Sequence, residues 1–405
     1  MAFSPAPLDA MRDAMAGHIE RGALPGLVTV VSRRGETRVE ALGAASVGGP
    51  PMSRGTLFRI TSMTKPIAAA AALTLVEEGV LRLDDPVDAL LPELAGRRVL
   101  RAPEGPLEDT VPAARPITLR DLLTFRCGLG IALDGSLFGT PFDDAVRELG
   151  LMGFGPPRPD APHTADEWLG LVGTLPLQCQ PGERWLYNTG YVILGILIER
   201  ASGRPLEAFL RERLFEPLGM RDTGFHVPAA DRGRLADSYS PDDADGRLTV
   251  YDGADGRWSR PPAFPDAGAG LVSSADDYLA FARMLADGGA HGGAHGGAHG
   301  GAHGGERLLS RRTVELMTTD QLAPGQHADA LGEARGWGFG VSVVLRRDEP
   351  YATPGRYGWN GGFGTSWAND PAEDLTAILL TQRPMPPGAS PVRDDFWTSV
   401  YRSLA

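Results

Sequence analysis

Apolar positions recur in more than one rhythm along this chain. Leu8, Met11, Met15 and Ile19 return every three to four residues, which predicts an amphipathic helix ended by ALPG. LVTVVSRRG and ETRVEALGA then read as β-rich segments around a turn at Arg34-Gly35. FRIT, residues 58–61, predicts a short strand running into an alanine-rich helix from Ser62 to about Glu78. From Leu81 to roughly Arg260 helical patterns (ITLRDLLTF, YVILGILIERAS, LEAFLRERLF) alternate with long Pro/Gly loops such as GFGPPRPDAPH. Strands return in GWGFGVSVVL, YGWNGGFGTSWAND and LTAILLTQ. Val392, Phe396, Val400 and Leu404 predict a closing amphipathic helix.

Strands at both ends around a helical middle predict an α+β fold: one antiparallel sheet built from both termini and flanked by helices, plus an α-rich lobe. The expected division is a sheet lobe from residues 1–85 and 261–405 and a mainly helical lobe from 86–260. Ligands favour the crevice between two such lobes.

Residues 288–305 repeat Gly-Gly-Ala-His four times and read as a low-complexity surface loop, with weak transition-metal binding by the imidazoles as the alternative. The helix before it opens with Ser274 and Asp277, a capping-box pattern.

Composition narrows the function. The net charge of −12 comes without a basic, aromatic-interleaved cluster, so nucleic acid is not an expected partner. No run approaches a membrane span, and the N-terminal residues lack the basic and apolar regions of a signal peptide. A cytoplasmic protein is expected, with Cys127 and Cys179 as free thiols, no metal and no cofactor. The oligomeric state is not readable from the sequence.

Of the 39 lysine and arginine residues only one, Lys65, is lysine. It stands in Ser62-Met63-Thr64-Lys65, which puts a hydroxyl and an amine on one helix face near its N-terminus, where negative charge is favoured. Serine needs an adjacent base to act as a nucleophile, and a buried amine can become one. Arginine cannot, because it keeps its proton. A capping serine followed by a surface lysine is the bland alternative. Outside the repeat the histidines are His18, His163, His226 and His327, with no Ser/His/Asp or H-E-x-x-H pattern, and no G-x-S-x-G elbow occurs.

LFRITSMTKPIAAAAALTLVEEGVLRLDDPV resembles the nucleophile segment of serine β-lactamase-fold hydrolases, the class C β-lactamase-like group, and most closely the family VIII carboxylesterases. ITLRDLLTFRCGLG, PGERWLYNTGYVILG, LGMRDTGF, AGAGLVSSADDYLAFARML and YGWNGGFGTSWANDP extend the resemblance over most of the chain. It implies Ser62 as nucleophile, Lys65 as its partner and Tyr187 as a second acid/base. Taken alone, Tyr187 reads equally well as a core aromatic beside Trp185. The family's usual Tyr-x-Asn is here Tyr187-Asn188-Thr189, which shifts the asparagine by one position. Trp359-Asn360-Gly361 stands where β-lactamases carry Lys-Thr-Gly, so Trp359, Asn360, Gly361 and Asn188 are the expected substrate pocket. An indole replaces a cation that would pair with a substrate carboxylate. Arg356, three residues earlier on a strand, points to the opposite face. The N–H groups of Ser62 and Gly362 are implied as the oxyanion hole.

The expectation is therefore a serine carboxylesterase that cleaves small-molecule esters through an acyl-enzyme on Ser62. The alternatives are a β-lactamase or D-amino-acid peptidase/amidase, an acyltransferase, or a catalytically silent binding relative. Which of Lys65 and Tyr187 is the base stays open, since coupled groups titrate as a unit.

Overall fold

The computed structural model describes residues 3–151, 159–241, 247–291, 306–326, 331–384 and 390–404. From residue 292 onward the Gly-Gly-Ala-His repeat lies outside them.

The two β-rich segments near the N-terminus form β1 (Gly26–Arg33) and β2 (Glu36–Gly43), joined by a hairpin whose turn residues Arg34 and Gly35 have φ of 48° and 81°. Positive φ at both turn positions matches the right-handed twist of the strands it joins. The next strand in sequence, β3 (Phe58–Arg59), leaves this sheet and pairs with β4 (Val272–Ser273). β5 (Arg335–Trp337), β6 (Ser342–Val344), β7 (Tyr357–Asn360), β8 (Ser366–Asp370) and β9 (Leu375–Leu380) complete the large sheet. Its seven strands run in the order β2-β1-β9-β8-β7-β6-β5, and every pairing is antiparallel. Strands from the two termini thus lie side by side, Val28 opposite Leu380 and Arg33 opposite Leu375. The fold is α+β, as the alternating texture of the chain implies.

All residues of β1 are buried because the sheet is covered on both faces. Leu27, Val31, Leu375, Ala377 and Leu379 pack under the terminal helices α1 (Pro5–Glu20) and α5 (Pro391–Arg402) through Met11, Met15, Phe396 and Val400. Val28, Val30, Ile378 and Leu380 face the other way, into the main core with α2 (Thr64–Glu77) and α4 (Ala275–Ala286). Alternate residues serving two cores is the period-2 geometry of a strand.

The segment between β3 and β4 carries α3 (Thr189–Ser202), the helix Ala165–Thr174, and several shorter helices. Two small ribbons also lie there, Arg98–Leu100 with Thr110–Pro112 and Ser238–Pro241 with Leu248–Asp252, which the helical texture of the sequence does not signal.

The capping box expected on α4 forms only half. Ser274 Oγ accepts the Asp277 N–H at 3.4 Å, but the buried Asp277 carboxylate turns away from the cap and accepts from the Asp222 N–H (2.7 Å) and the Thr223 hydroxyl (2.8 Å). Burial pushes that carboxyl up to about 6.

Candidate active site

Helix α2 is buried on every side. Thr64 through Leu75 are all buried, and alanines at 68–72 let neighbouring elements approach closely. A helix apolar all round belongs inside a core, and Lys65, with no exposed surface, enters that core one residue after the helix begins. The expected start at Ser62 is refined: Thr61–Met63 form a 3-10 turn, and the α-helix begins at Thr64. Thr61 has φ of 45°, an unusual conformation for a β-branched residue. This turn leaves Ser62 half-exposed between buried Thr61 and Met63.

The lead-in to the turn is pinned. Arg59 and Asp252 form a fully buried ion pair, and the Arg59 N–H donates to Gln382 Oε1 at 3.1 Å. One residue on, the Ile60 carbonyl accepts the Thr365 hydroxyl at 3.2 Å, which ties the turn to the loop after β7.

Lys65 Nζ lies 3.0 Å from Ser62 Oγ, 2.8 Å from Asn188 Oδ1 and 2.7 Å from the Gly268 carbonyl. Two of these three neighbours can only accept. An ammonium donates to all three. A neutral amine gives its two hydrogens to Asn188 and Gly268, and its lone pair then faces the Ser62 hydroxyl. The cradle therefore accommodates both protonation states and aims the basic one at the serine.

Tyr187 approaches from the side, its ring centroid 4.5 Å from Lys65 Nζ. It is held by backbone hydrogen bonds to Ile131 in both directions (2.8 and 2.9 Å) and by contacts with Phe125, Trp185 and Trp359. Asn188, the next residue, adopts φ of 78°, and the shifted asparagine reaches Lys65 from there.

β7 closes the site. The Trp359 indole N–H donates to Tyr187 Oη at 2.9 Å, and its ring meets Trp337 edge-on at 4.6 Å. With one lone pair of the phenol oxygen so occupied, the phenolic proton is directed away from Trp359. The neighbouring Asn360 points to the other face of the sheet: its Oδ1 accepts the Ser366 hydroxyl (2.6 Å), which in turn accepts the Trp397 indole N–H from α5 (3.0 Å). Strand alternation separates Asn360 from Trp359. Arg356 is on that far face too, its guanidinium 3.9 Å over the Trp397 ring.

Gly361 is required by packing, since a Cβ there would lie 2.0 Å from Thr365 Oγ1 and 2.4 Å from the Ile60 carbonyl oxygen. Gly362 is exposed. Among the described residues neither its N–H nor that of Ser62 has a hydrogen-bond acceptor.

Two neighbours of the site were not among the expected residues. The Gly268 carbonyl and Asp266 come from the loop before β4, some 200 positions after Lys65. Burial pushes the Asp266 carboxyl up, while Lys65 and the N–H groups of Gly268 and Ala269 pull it back. The only hint is the glycine and alanine density of DAGAG, which marks a close backbone approach.

Other chemistry is sparse. Cys127 and Cys179 are buried and form no disulfide, and burial pushes the Cys127 thiol up to about 12. Among the described residues no group of His, Cys, Asp or Glu could hold a metal ion, and no helix is long and apolar enough to cross a membrane.

Comparison with known proteins places this geometry. The family model for Beta-lactamase matches residues 11–401. The chain is 38% identical over 389 residues to Protein Rv1367c of Mycobacterium tuberculosis, covering 93% of this chain and 90% of that one. It is 34% identical over 399 residues to Esterase EstB of Burkholderia gladioli, with the same coverage. Among solved structures, EstCE1, described as a hydrolase with promiscuous acyltransferase activity, superposes with a TM-score of 0.78 at 26% identity over 98% of both chains. Matches that run almost end to end, in sequence and in fold alike, make this chain a member of the beta-lactamase family.

Proposed function

We propose that the chain is a serine carboxylesterase acting on small, uncharged esters. The observation that carries this reading is the cradle around Lys65, in which two acceptors fix the amine with Ser62 Oγ 3.0 Å away. Ser62 Oγ attacks the ester carbonyl carbon and its proton passes to Lys65. The oxyanion is stabilised by the Ser62 and Gly362 N–H groups. Collapse of the tetrahedral intermediate breaks the bond to the alcohol oxygen, which leaves with a proton relayed through Tyr187. Water then attacks the acyl carbon and gives up a proton to the same pair; collapse breaks the bond to Ser62 Oγ, which takes that proton back as the carboxylic acid leaves.

Esters are favoured over β-lactams or peptides ending in a carboxylate because the strand beside the nucleophile presents an indole. Lys65 is committed to its three neighbours, and Arg356 lies across the sheet. EstB is named an esterase, which agrees with this choice. EstCE1's described acyltransferase activity supports a second outcome, capture of the acyl-enzyme by an alcohol instead of water.

Initial rates with p-nitrophenyl butyrate test the proposal. Turnover by the wild type is expected to fall by at least about a thousandfold in Ser62→Ala, since nucleophile and base act as a unit. Equal rates in the two proteins would remove Ser62 from the mechanism.

A further inference from the structure

The two N–H groups that would hold the oxyanion belong to the peptide planes Thr61–Ser62 and Gly361–Gly362, which come from opposite ends of the chain. Both must reach one oxygen at hydrogen-bond distance, so their separation has to be set by something outside them.

Thr365 is placed to do this. It is buried, and its carbonyl accepts the Gly361 N–H at 2.7 Å. Its hydroxyl donates to the Ile60 carbonyl at 3.2 Å. That carbonyl also accepts the Met63 N–H at 3.1 Å, the bond that closes the 3-10 turn around Ser62. The backbone of Thr365 thus holds the residue before Gly362, while its side chain holds the carbonyl that anchors the serine turn.

Turn and loop meet closely here. A Cβ on Gly361 would collide with Thr365 Oγ1, the Ile60 carbonyl oxygen and Thr61 Oγ1, and one on Gly362 would lie 3.9 Å from Thr61 Oγ1. The Thr61 hydroxyl is buried at this contact but has no hydrogen-bond partner. Among the described residues the Thr365 hydroxyl makes the only hydrogen bond between residues 60–63 and residues 361–365. The loop is anchored separately on its other side, where the Phe363 carbonyl accepts the Thr381 hydroxyl (2.7 Å) and the Arg383 N–H (3.0 Å).

We propose that Thr365 is a positioning residue whose hydroxyl sets the separation of the Ser62 and Gly362 N–H groups. The inference rests on the Ser62 esterase reading. A carbonyl oxygen has two lone pairs, so without the hydroxyl the Ile60 carbonyl keeps its bond to the Met63 N–H and the turn persists. What is lost is the tie between turn and loop, and the defect falls on the transition state. Misplacing a reacting group by about 1 Å costs about a hundredfold in rate.

Thr365→Val keeps the shape of the side chain and deletes the hydroxyl. Its kcat for p-nitrophenyl butyrate should fall about 10- to 100-fold, with KM within about threefold of wild type. Thr365→Ser keeps the hydroxyl and should hold kcat within about threefold. Butylboronic acid gives a second readout. Ser62 Oγ adds to the boron, its proton passes to Lys65, and the tetrahedral adduct puts a boron-bound oxygen where the oxyanion forms. The inhibition constant should rise in Thr365→Val by about the factor by which kcat falls, because both report the same pair of donors. Thr365→Ala, which adds no methyl where the hydroxyl stood, carries both readouts if the valine variant does not fold. An unchanged kcat, a loss confined to KM, a serine variant as slow as the valine one, or an inhibition constant that stays put while kcat falls would overturn the role of Thr365 and leave the esterase reading intact. A wild type that neither hydrolyses the ester nor binds the boronic acid would overturn both.

Discussion

Replacing Lys65 with arginine keeps a positive charge in the cradle and removes any capacity to take a proton there. Replacing it with methionine removes both and keeps a similar length. The pair separates two roles that the geometry alone allows, a fixed cation beside the serine or a base that accepts its proton. General-base contributions are typically about 10²- to 10⁴-fold. Lys65 has no exposed surface and three neighbours within 3.0 Å, so a wider guanidinium also displaces Asn188 or the Gly268 loop. Both variants are therefore expected to lose about a thousandfold in kcat/KM toward p-nitrophenyl butyrate, roughly 4 kcal/mol of transition-state stabilisation. Thermal melts run alongside separate activity from folding. Methionine leaves the Asn188 and Gly268 oxygens without a donor, at about 1–3 kcal/mol each, so a lower Tm is expected even where the fold persists. An arginine variant that kept more than about a tenth of wild-type activity, with methionine inactive, would refute proton transfer and leave Lys65 as a charge alone.

Trp359→Phe keeps an aromatic ring against Trp337 and deletes the N–H that reaches Tyr187 Oη. A hydrogen bond to a group that acquires charge is worth about 1.5–3 kcal/mol, so kcat should fall about 10- to 100-fold with little change in KM. A change confined to KM would make Trp359 a pocket wall only. Asp277→Asn tests a carboxyl that burial pushes up to about 6. The folded protein holds that proton more tightly than the unfolded chain does, so the cost in stability sets in as pH rises past the ordinary carboxylate range, is complete above about 6, and is absent well below that range. The variant should therefore be more stable than wild type at pH 8, by about 2–3 kcal/mol if the shift is fully expressed. The gain should vanish toward pH 4 in denaturant titrations, and a gain independent of pH would contradict this account.

Legibility followed the range over which each feature is determined. The hairpin at Arg34-Gly35 and the two terminal helices are local patterns, and periodicity reveals them directly. Ser62 and Lys65 were readable for a related reason, since their spacing lies within four residues and the scarcity of lysine is a count over the sequence. The 3-10 turn was not, because Thr61 takes a positive φ that threonine does not favour. It is held there by contacts of its neighbours with Thr365 and Gln382, near the other end of the chain. Asn188 looked displaced in the motif, and only its own positive φ brings it back to Lys65. Asn360 shows the converse, since motif adjacency to Trp359 puts it on the opposite sheet face.

The pairing of β1 with β9 has a consequence for biosynthesis. β1 emerges from the ribosome early but has only β2 to pair with until nearly the whole chain has followed. α2 is in the same position, since the Gly268 carbonyl, Trp359 and Thr365 that complete its N-terminal end are all translated later. Such long-range closure slows folding. An apolar β-hairpin without its second partner is also a template for pairing with other chains. This protein should therefore gain its activity only once the residues of β9 have been translated and can reach β1. During synthesis it should depend on holdase chaperones that keep the first 43 residues from pairing between nascent chains.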